Sequence, residues 1–199
     1  MFVKETLPRL PLIELLWPER TLVRNVVLVF GTSLLLAFSA QIVLPLPFSP
    51  VPVTAQTLIA LLSGAVLGSR LGPLSVLVYL TEGAMGLPFF ARGQAGLGYL
   101  RGVTGGYLIG FVVAALVVGL LIERGWGRTF RTAVLAMVVG NIVLYCFGVP
   151  WLKNVLNISL GKALAIGFYV FIPGDLYKLG FASVLLPRLW SFFGKPKDY

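Results

Sequence analysis

Apolar residues run along this chain in six blocks separated by prolines, glycines and charges. A bilayer core of about 30 Å takes roughly 20 apolar residues of helix, and fewer where a segment is short or packed among others. On that scale the first span covers 25–44 and stops at the proline cluster LPLPFSPVPVT. The second, 54–68, is short and closed by Arg70; the third, 71–86, precedes the glycine-rich loop LPFFARGQAGLGYLRGVTGG. The fourth covers 105–122, the fifth 132–151 and the sixth 173–190. Between the last two, SLGKALAIGFYVF is apolar enough to lie in or against a membrane and reads as a half-helix or re-entrant piece. The pattern predicts an all-α integral membrane protein, a compact bundle of six transmembrane helices with a glycine-rich outer loop between helices 3 and 4.

Composition agrees. Of 199 residues 58% are hydrophobic and 12% charged, against about 25% charged in a soluble domain. One domain is expected over 24–190, preceded by a lead-in (1–23) and followed by a basic tail (191–199). The lead-in does not read as a signal peptide, because Lys4, Glu5, Arg9, Glu14, Glu19 and Arg20 interrupt any apolar core and prolines recur. It is expected to be cytosolic, with a short amphipathic helix at the interface.

The net charge of +9 carries topology. Lys4, Arg9, Arg20, Arg24, Arg70, Arg124, Arg128, Arg131, Arg188, Lys195 and Lys197 fall on one set of alternate connections, whereas the other set holds only Arg92, Arg101, Lys153 and Lys162. Since Lys and Arg gather on the cytosolic side, both termini are expected there, in a multi-pass protein of the cell membrane. The proline-rich turn, the glycine-rich loop and the entry to the last helix then share the outer side. The scattered basic residues form no face for nucleic acid.

Catalytic chemistry has little to draw on. Cys146 is the single cysteine, histidine is absent and seven residues are acidic. The usual general base and commonest metal ligand are thus missing, and no enzyme, metal site or cofactor is expected. Neither GQAGLG nor LGKAL has the spacing of a nucleotide-phosphate loop, so ATP-driven transport requires another subunit.

Against this background FIPGDLYKLG (171–180) stands out. Pro173 suits the first turn of a helix, and Asp175 and Lys178 follow at i, i+3 on one face. A mid-membrane charge costs about 2.5–3.5 kcal/mol on insertion scales. The pair therefore either caps and braces the helix or serves a ligand, as acceptor for paired N–H donors and cation for a carboxylate. Gln56, Glu82, Tyr107, Asn141 and Tyr145 are the other polar groups expected at membrane depth. Asn141 and Tyr145 share a helical face, and all five either converge on one cavity or make interhelical hydrogen bonds. For Glu82 an interfacial place beside Arg92 is the alternative. Small residues every fourth position, at Ala60, Gly64 and Gly68 and at Gly106, Gly110 and Ala114, let helices approach closely. Ser33 and Ala37 have the same spacing and serve either internal packing or a coupling surface for a membrane partner.

Six ordered motifs, PVPVTAQT (50–57), GAMGLPFFARG (83–93), GVTGGYLIGF (102–111), GNIVLYCFGVPWL (140–152), LGKALAIG (160–167) and FIPGDLYK (171–178), resemble those of the BioY family, the biotin-binding S-components of energy-coupling factor (ECF) vitamin transporters. The resemblance implies high-affinity biotin capture from outside, with uptake driven by a coupling membrane subunit and two ATP-hydrolysing subunits; solitary operation stays open. It implies Asp175 and Lys178 as ligand residues, with Asn141, Tyr145 and Gln56 next. Gly93 and Tyr107 would belong to a lid. Arg92 replaces the small residue of an FAGG-like pattern and either meets the ligand carboxylate or alters the lid. Biotin's ureido N–H groups suit a carboxylate acceptor, its carbonyl suits amides and tyrosines, and its tail suits Lys178 or Arg92. The rival readings are an S-component for a different vitamin and a non-transporting structural subunit; a membrane enzyme, with Glu82 and Asp175 its only intramembrane acids, fits least.

Overall fold

A computed structural model describes residues 10–193. Lys4, Glu5, Arg9, Lys195 and Lys197 lie outside the described residues, as does tail segment 194–199. In order the helices are α1 (Leu12–Leu16), α2 (Leu22–Gln41), α3 (Gln56–Ala84), α4 (Leu97–Arg101), α5 (Gly105–Glu123), α6 (Phe130–Leu156), α7 (Leu160–Gly167) and α8 (Ile172–Phe193). A two-stranded ribbon, β1 (Val43–Leu44) antiparallel to β2 (Val53–Thr54), fills the proline-rich turn and pairs Val43 with Thr54. Five segments are long and apolar enough to cross a membrane: α2, α3, α5, α6 and the run Leu160–Phe193.

Local chemistry sets the ends. Thr21 caps α2 by accepting the Arg24 N–H, Thr129 and Thr132 form a reciprocal capping box on α6, and Ser159 caps α7. At its other end α6 closes on Asn157 in the left-handed conformation. At eight residues, α7 spans about 12 Å and cannot cross a bilayer. It is followed by a 3₁₀ turn, Tyr169–Phe171, that delivers the chain into α8. The first span ends at Gln41, three residues earlier than the apolar run suggests, because β1 takes Val43 and Leu44.

α3 is a hairpin of two helical arms. Gly68 has φ +82° and ψ −175°, a backbone position that costs glycine little and other residues much. On a straight helix Gln56 and Tyr79 would stand about 35 Å apart, yet the Gln56 amide donates to the Tyr79 hydroxyl. The chain therefore reverses at Gly68, which brings Gly64 against Gly72. α5, apolar on every side and the most buried of the five candidate spans, packs between the α3 arms and α6. A Cβ on Gly64 would overlap the Ala115 carbonyl of α5; Gly106 faces Trp151 of α6 as closely, and Gly110 faces Leu144 of α6 somewhat less so.

The bundle has two distinct ends. At one, Ser69 beside the Gly68 reversal donates to Glu123 from its N–H (2.7 Å) and hydroxyl, and Arg128 lies 5.2 Å over the Trp190 ring. α1 packs there against α3 and α8 with Leu12 fully buried, so this part of the lead-in is packed onto the bundle. Arg24, 1% exposed, donates to the Ile13 carbonyl (3.2 Å) and pairs with Glu14 (3.6 Å). The other end gathers the ribbon, the ordered loop with α4, the C-termini of α2 and α6, α7 and the head of α8.

Ser33 and Ala37 are both buried within the chain, and Ser33 donates to Glu82 on the second α3 arm. Their burial fits internal packing, and the Glu82 carboxylate is engaged by Ser33. Substituting Gly64→Leu is expected to cost at least the roughly 1–3 kcal/mol of overpacking, whereas Gly31→Leu, with nothing within 4 Å of its Cβ position, is tolerated. Thermal unfolding of the two variants in detergent measures the difference.

Candidate functional site

A cavity of about 50 Å³, open to the outside, lies at the end of the bundle opposite α1. Val51, Val53, Leu108, Phe111, Leu144 and Phe171 supply its apolar wall; Tyr99, Tyr107 and Tyr145 add aromatic faces. Thr54, Gln56, Thr57, Thr104, Asp175 and Lys178 are its polar members.

Asp175 sits in the first turn of α8 and is buried. One carboxylate oxygen accepts the Tyr145 hydroxyl, and the other faces the Lys178 ammonium at 3.4 Å. A carboxylate has about four acceptor sites, so these two partners leave capacity for a guest's N–H donors. The Tyr145 ring is held edge-on by Phe168 at 4.8 Å and flanked by Phe171 and Tyr107.

Gln56 heads α3 behind the ribbon. Its carbonyl oxygen accepts from Thr54 at 3.1 Å and its amide donates to Tyr79, so the side chain is held in place before any ligand arrives. Tyr107 donates to the Gly167 carbonyl at 2.8 Å, which ties α5 to α7 and leaves its ring for the wall. It is a wall residue rather than part of a lid.

Asn141 does not reach this cavity. It lies one turn from Tyr145 on α6, buried, against a separate, closely packed gap shared with Thr57, Leu61 and Lys178. Its side-chain oxygen has no hydrogen-bond partner among the described residues. Lys178 and Thr57 line both spaces and form the partition between them.

Arg92 and Gly93 lie on an exposed 3₁₀ turn, Ala91–Gly93, both with positive φ. Arg92 lines a wider outer vestibule of about 660 Å³, which shares Pro52, Ala91, Tyr99 and Thr104 with the inner cavity. Gly93 lines neither; its N–H is held by Gln41 at 2.9 Å. The sequence reading did not single out Thr54, Tyr99, Thr104, Tyr79 or Gln41. Thr54 and Thr104 stand inside the motifs PVPVTAQT and GVTGGYLIGF and Tyr99 in the glycine-rich loop, but nothing in their spacing, or in that of Tyr79 and Gln41, announces their places. Burial raises the Tyr99 phenol above its ordinary pKa, so its hydroxyl is a donor at neutral pH.

The fold and this cavity are those of an α-helical protein with five segments long and apolar enough to cross a membrane among the described residues, and a cavity with polar and apolar walls between its helices. A family profile, that of the BioY family, matches residues 11–195. Among curated relatives, the biotin transporter BioY of Rhizobium etli is 40% identical over 147 residues, 70% of this chain and 78% of that protein. That of Thermotoga maritima is 40% identical over 156 residues, 76% of this chain and 90% of its own. A crystal structure of the S-component for biotin from an ECF-type ABC transporter superimposes with a TM-score of 0.76 at 25% identity, covering 87% of this chain and 96% of that one. The chain belongs to the BioY family.

Breaking one side of a buried ion pair costs more than neutralising it. Lys178→Met strands a carboxylate and is expected to destabilise by roughly 1–2 kcal/mol, below the fully buried range because the pair faces an open cavity. Asp175→Asn, which still accepts from Tyr145, costs less. Ligand-free unfolding curves in detergent rank the two.

Proposed function

We propose that this chain captures biotin at the outer face of the cell membrane and serves uptake as the substrate-specific S-component of an ECF-type transporter. The observation that carries the reading is Asp175, a buried carboxylate backed by Tyr145 and Lys178 in a cavity with both apolar and polar walls. Biotin matches those walls. Its ureido N–H groups find an acceptor in Asp175, its ureido carbonyl finds donors in Thr104 and Tyr99, and its thioether ring finds Leu108, Phe111, Leu144 and Phe171. The valerate carboxylate reaches toward a cation, and Lys178 inside and Arg92 in the vestibule are the two nearby.

The same reading sets the topology. Counting each arm of α3 as one crossing, with α2, α5, α6 and α8, gives six passes. Arg20, Arg24, Arg70, Arg124, Arg128, Arg131 and Arg188 then share the α1 end, whereas Arg92, Arg101, Lys153 and Lys162 share the cavity end. The positive-inside bias puts the α1 end and both termini in the cytosol and opens the cavity outward. The coupling membrane subunit and paired ATPases of such a transporter would supply the energy, since the chain carries no phosphate-binding loop of its own. The named relatives are transporters, and the site holds and orients a ligand without reacting with it.

Asp175→Asn removes a charge-assisted acceptor worth about 1.5–3 kcal/mol. Biotin affinity is expected to fall about 10–100-fold while the folded yield is kept. The direct test of the function is uptake of labelled biotin by cells lacking their own biotin transporter. Uptake with this chain and an ECF module, and its loss in Asp175→Asn, supports the proposal. Equal uptake in both variants removes Asp175 from the site, and no uptake with a verified, membrane-inserted chain opposes the function.

A further inference from the structure

Gln41, the last residue of α2, makes an unusual set of contacts for an exposed side chain. Its amide nitrogen donates to the carbonyls of Phe90 at 3.1 Å and Phe89 at 3.4 Å, and its amide oxygen accepts the Gly93 N–H at 2.9 Å. These groups belong to one tight turn, closed by the pairing of Phe90 with Gln94, in which Arg92 and Gly93 both have positive φ. Arg92 costs more there than glycine would, so the turn depends on outside bonds to keep its shape. Its inner side places Ala91 in the wall of both the cavity and the vestibule.

The bonds do not stop at the turn. Tyr79 donates to the Phe89 carbonyl at 3.3 Å and accepts from Gln56, which accepts from Thr54. A continuous hydrogen-bonded path thus runs from two polar residues of the cavity wall, through Tyr79 and the Phe89 carbonyl, to Gln41 and the rim turn. The Phe90 ring, fully buried against Tyr79 and Tyr99, anchors the turn at its base. The outer side, with Arg92 and Gly93, is tied down by Gln41.

We infer that Gln41 is a positioning residue that clamps the rim turn over the vestibule and so slows ligand escape, with Tyr79 joining the clamp to the cavity wall. Gln41 is absent from the linings of both spaces, so its effect is exerted through the turn. The inference rests on the biotin reading for the identity of the ligand, but the clamp itself is testable without one.

Two measurements separate these parts. The first is limited trypsin digestion of the ligand-free, detergent-solubilised protein, reading cleavage after Arg92 against cleavage after Arg101 in α4. Gln41→Leu is expected to accelerate the first cut about tenfold, the order expected when its three partly exposed hydrogen bonds to the turn are lost together, and to leave the second unchanged. Gln41→Glu, which keeps the acceptor for Gly93, restores part of the protection. The second is biotin binding kinetics on the full-length protein. Gln41→Leu raises the dissociation rate roughly tenfold with association nearly unchanged, and Tyr79→Phe combined with it adds less than the sum of the two effects. Unchanged cleavage after Arg92 overturns the clamp. Faster cleavage with an unchanged dissociation rate overturns its role in ligand retention. If the wild-type protein binds no biotin, the assigned function and that role fail together, and the digestion alone then decides whether Gln41 holds the turn.

Discussion

One buried carboxylate organises this molecule's chemistry. Asp175 stands in a bundle whose sequence is overwhelmingly apolar, and an ionised acid in such surroundings persists only when partners replace its water. Tyr145 from α6 and Lys178 from the next turn of α8 do so, one at each oxygen. The pair fixes the head of α8 against α6, and the aromatic residues around Tyr145 fix the hydroxyl. A site built this way is organised before its guest arrives, so little of the binding energy is spent on ordering side chains. Structural stability alone does not require it, since a well-packed apolar replacement often serves a buried ion pair's position as well or better.

The rest of the fold supplies walls for that carboxylate. The reversal at Gly68 turns one long apolar run into two arms, so that Gln56 and Tyr79 meet beside the cavity instead of lying far apart along a helix. Glycine contacts draw the arms, α5 and α6 so close together that little empty space remains along the middle of the bundle. The openings instead lie at its two ends, and their chemistry differs. The α1 end is occupied by charge and by its own lead-in, with Arg24 buried under α1. The opposite end is capped by short, hydrogen-bonded pieces: the ribbon, the rim turn, α4 and α7. This division suits a protein that receives a small molecule at one face.

Much of this was legible in the sequence because lipid imposes strict rules. Apolar run length located the membrane-scale helices, Arg70 and Gly68 marked the break inside α3, and the i, i+3 spacing of Asp175 and Lys178 identified the ion pair. Tyr145 and Gln56 reached the cavity as expected. Asn141 did not: sharing a helical face with Tyr145 puts it on the same side, but one turn along the axis is enough for Thr57 and Lys178 to stand between them. Ser33 and Ala37 illustrate a related limit, since small residues at fourfold spacing fit an internal neighbour as well as an external one. Gln41, Tyr79, Tyr99 and Thr104 act through partners brought close by the tertiary fold; the Gly93 bond of Gln41 joins residues 52 apart in the chain. No local pattern encodes such a contact.

The account depends on the cavity being made for biotin. Calorimetric titration of the purified, ligand-stripped protein in detergent with biotin, riboflavin and thiamine tests this most directly. The prediction is selective, saturable biotin binding at about one molecule per folded chain, with no heat of binding for the other two vitamins. Binding of riboflavin or thiamine in preference to biotin, or no binding by a verified folded sample, would contradict it.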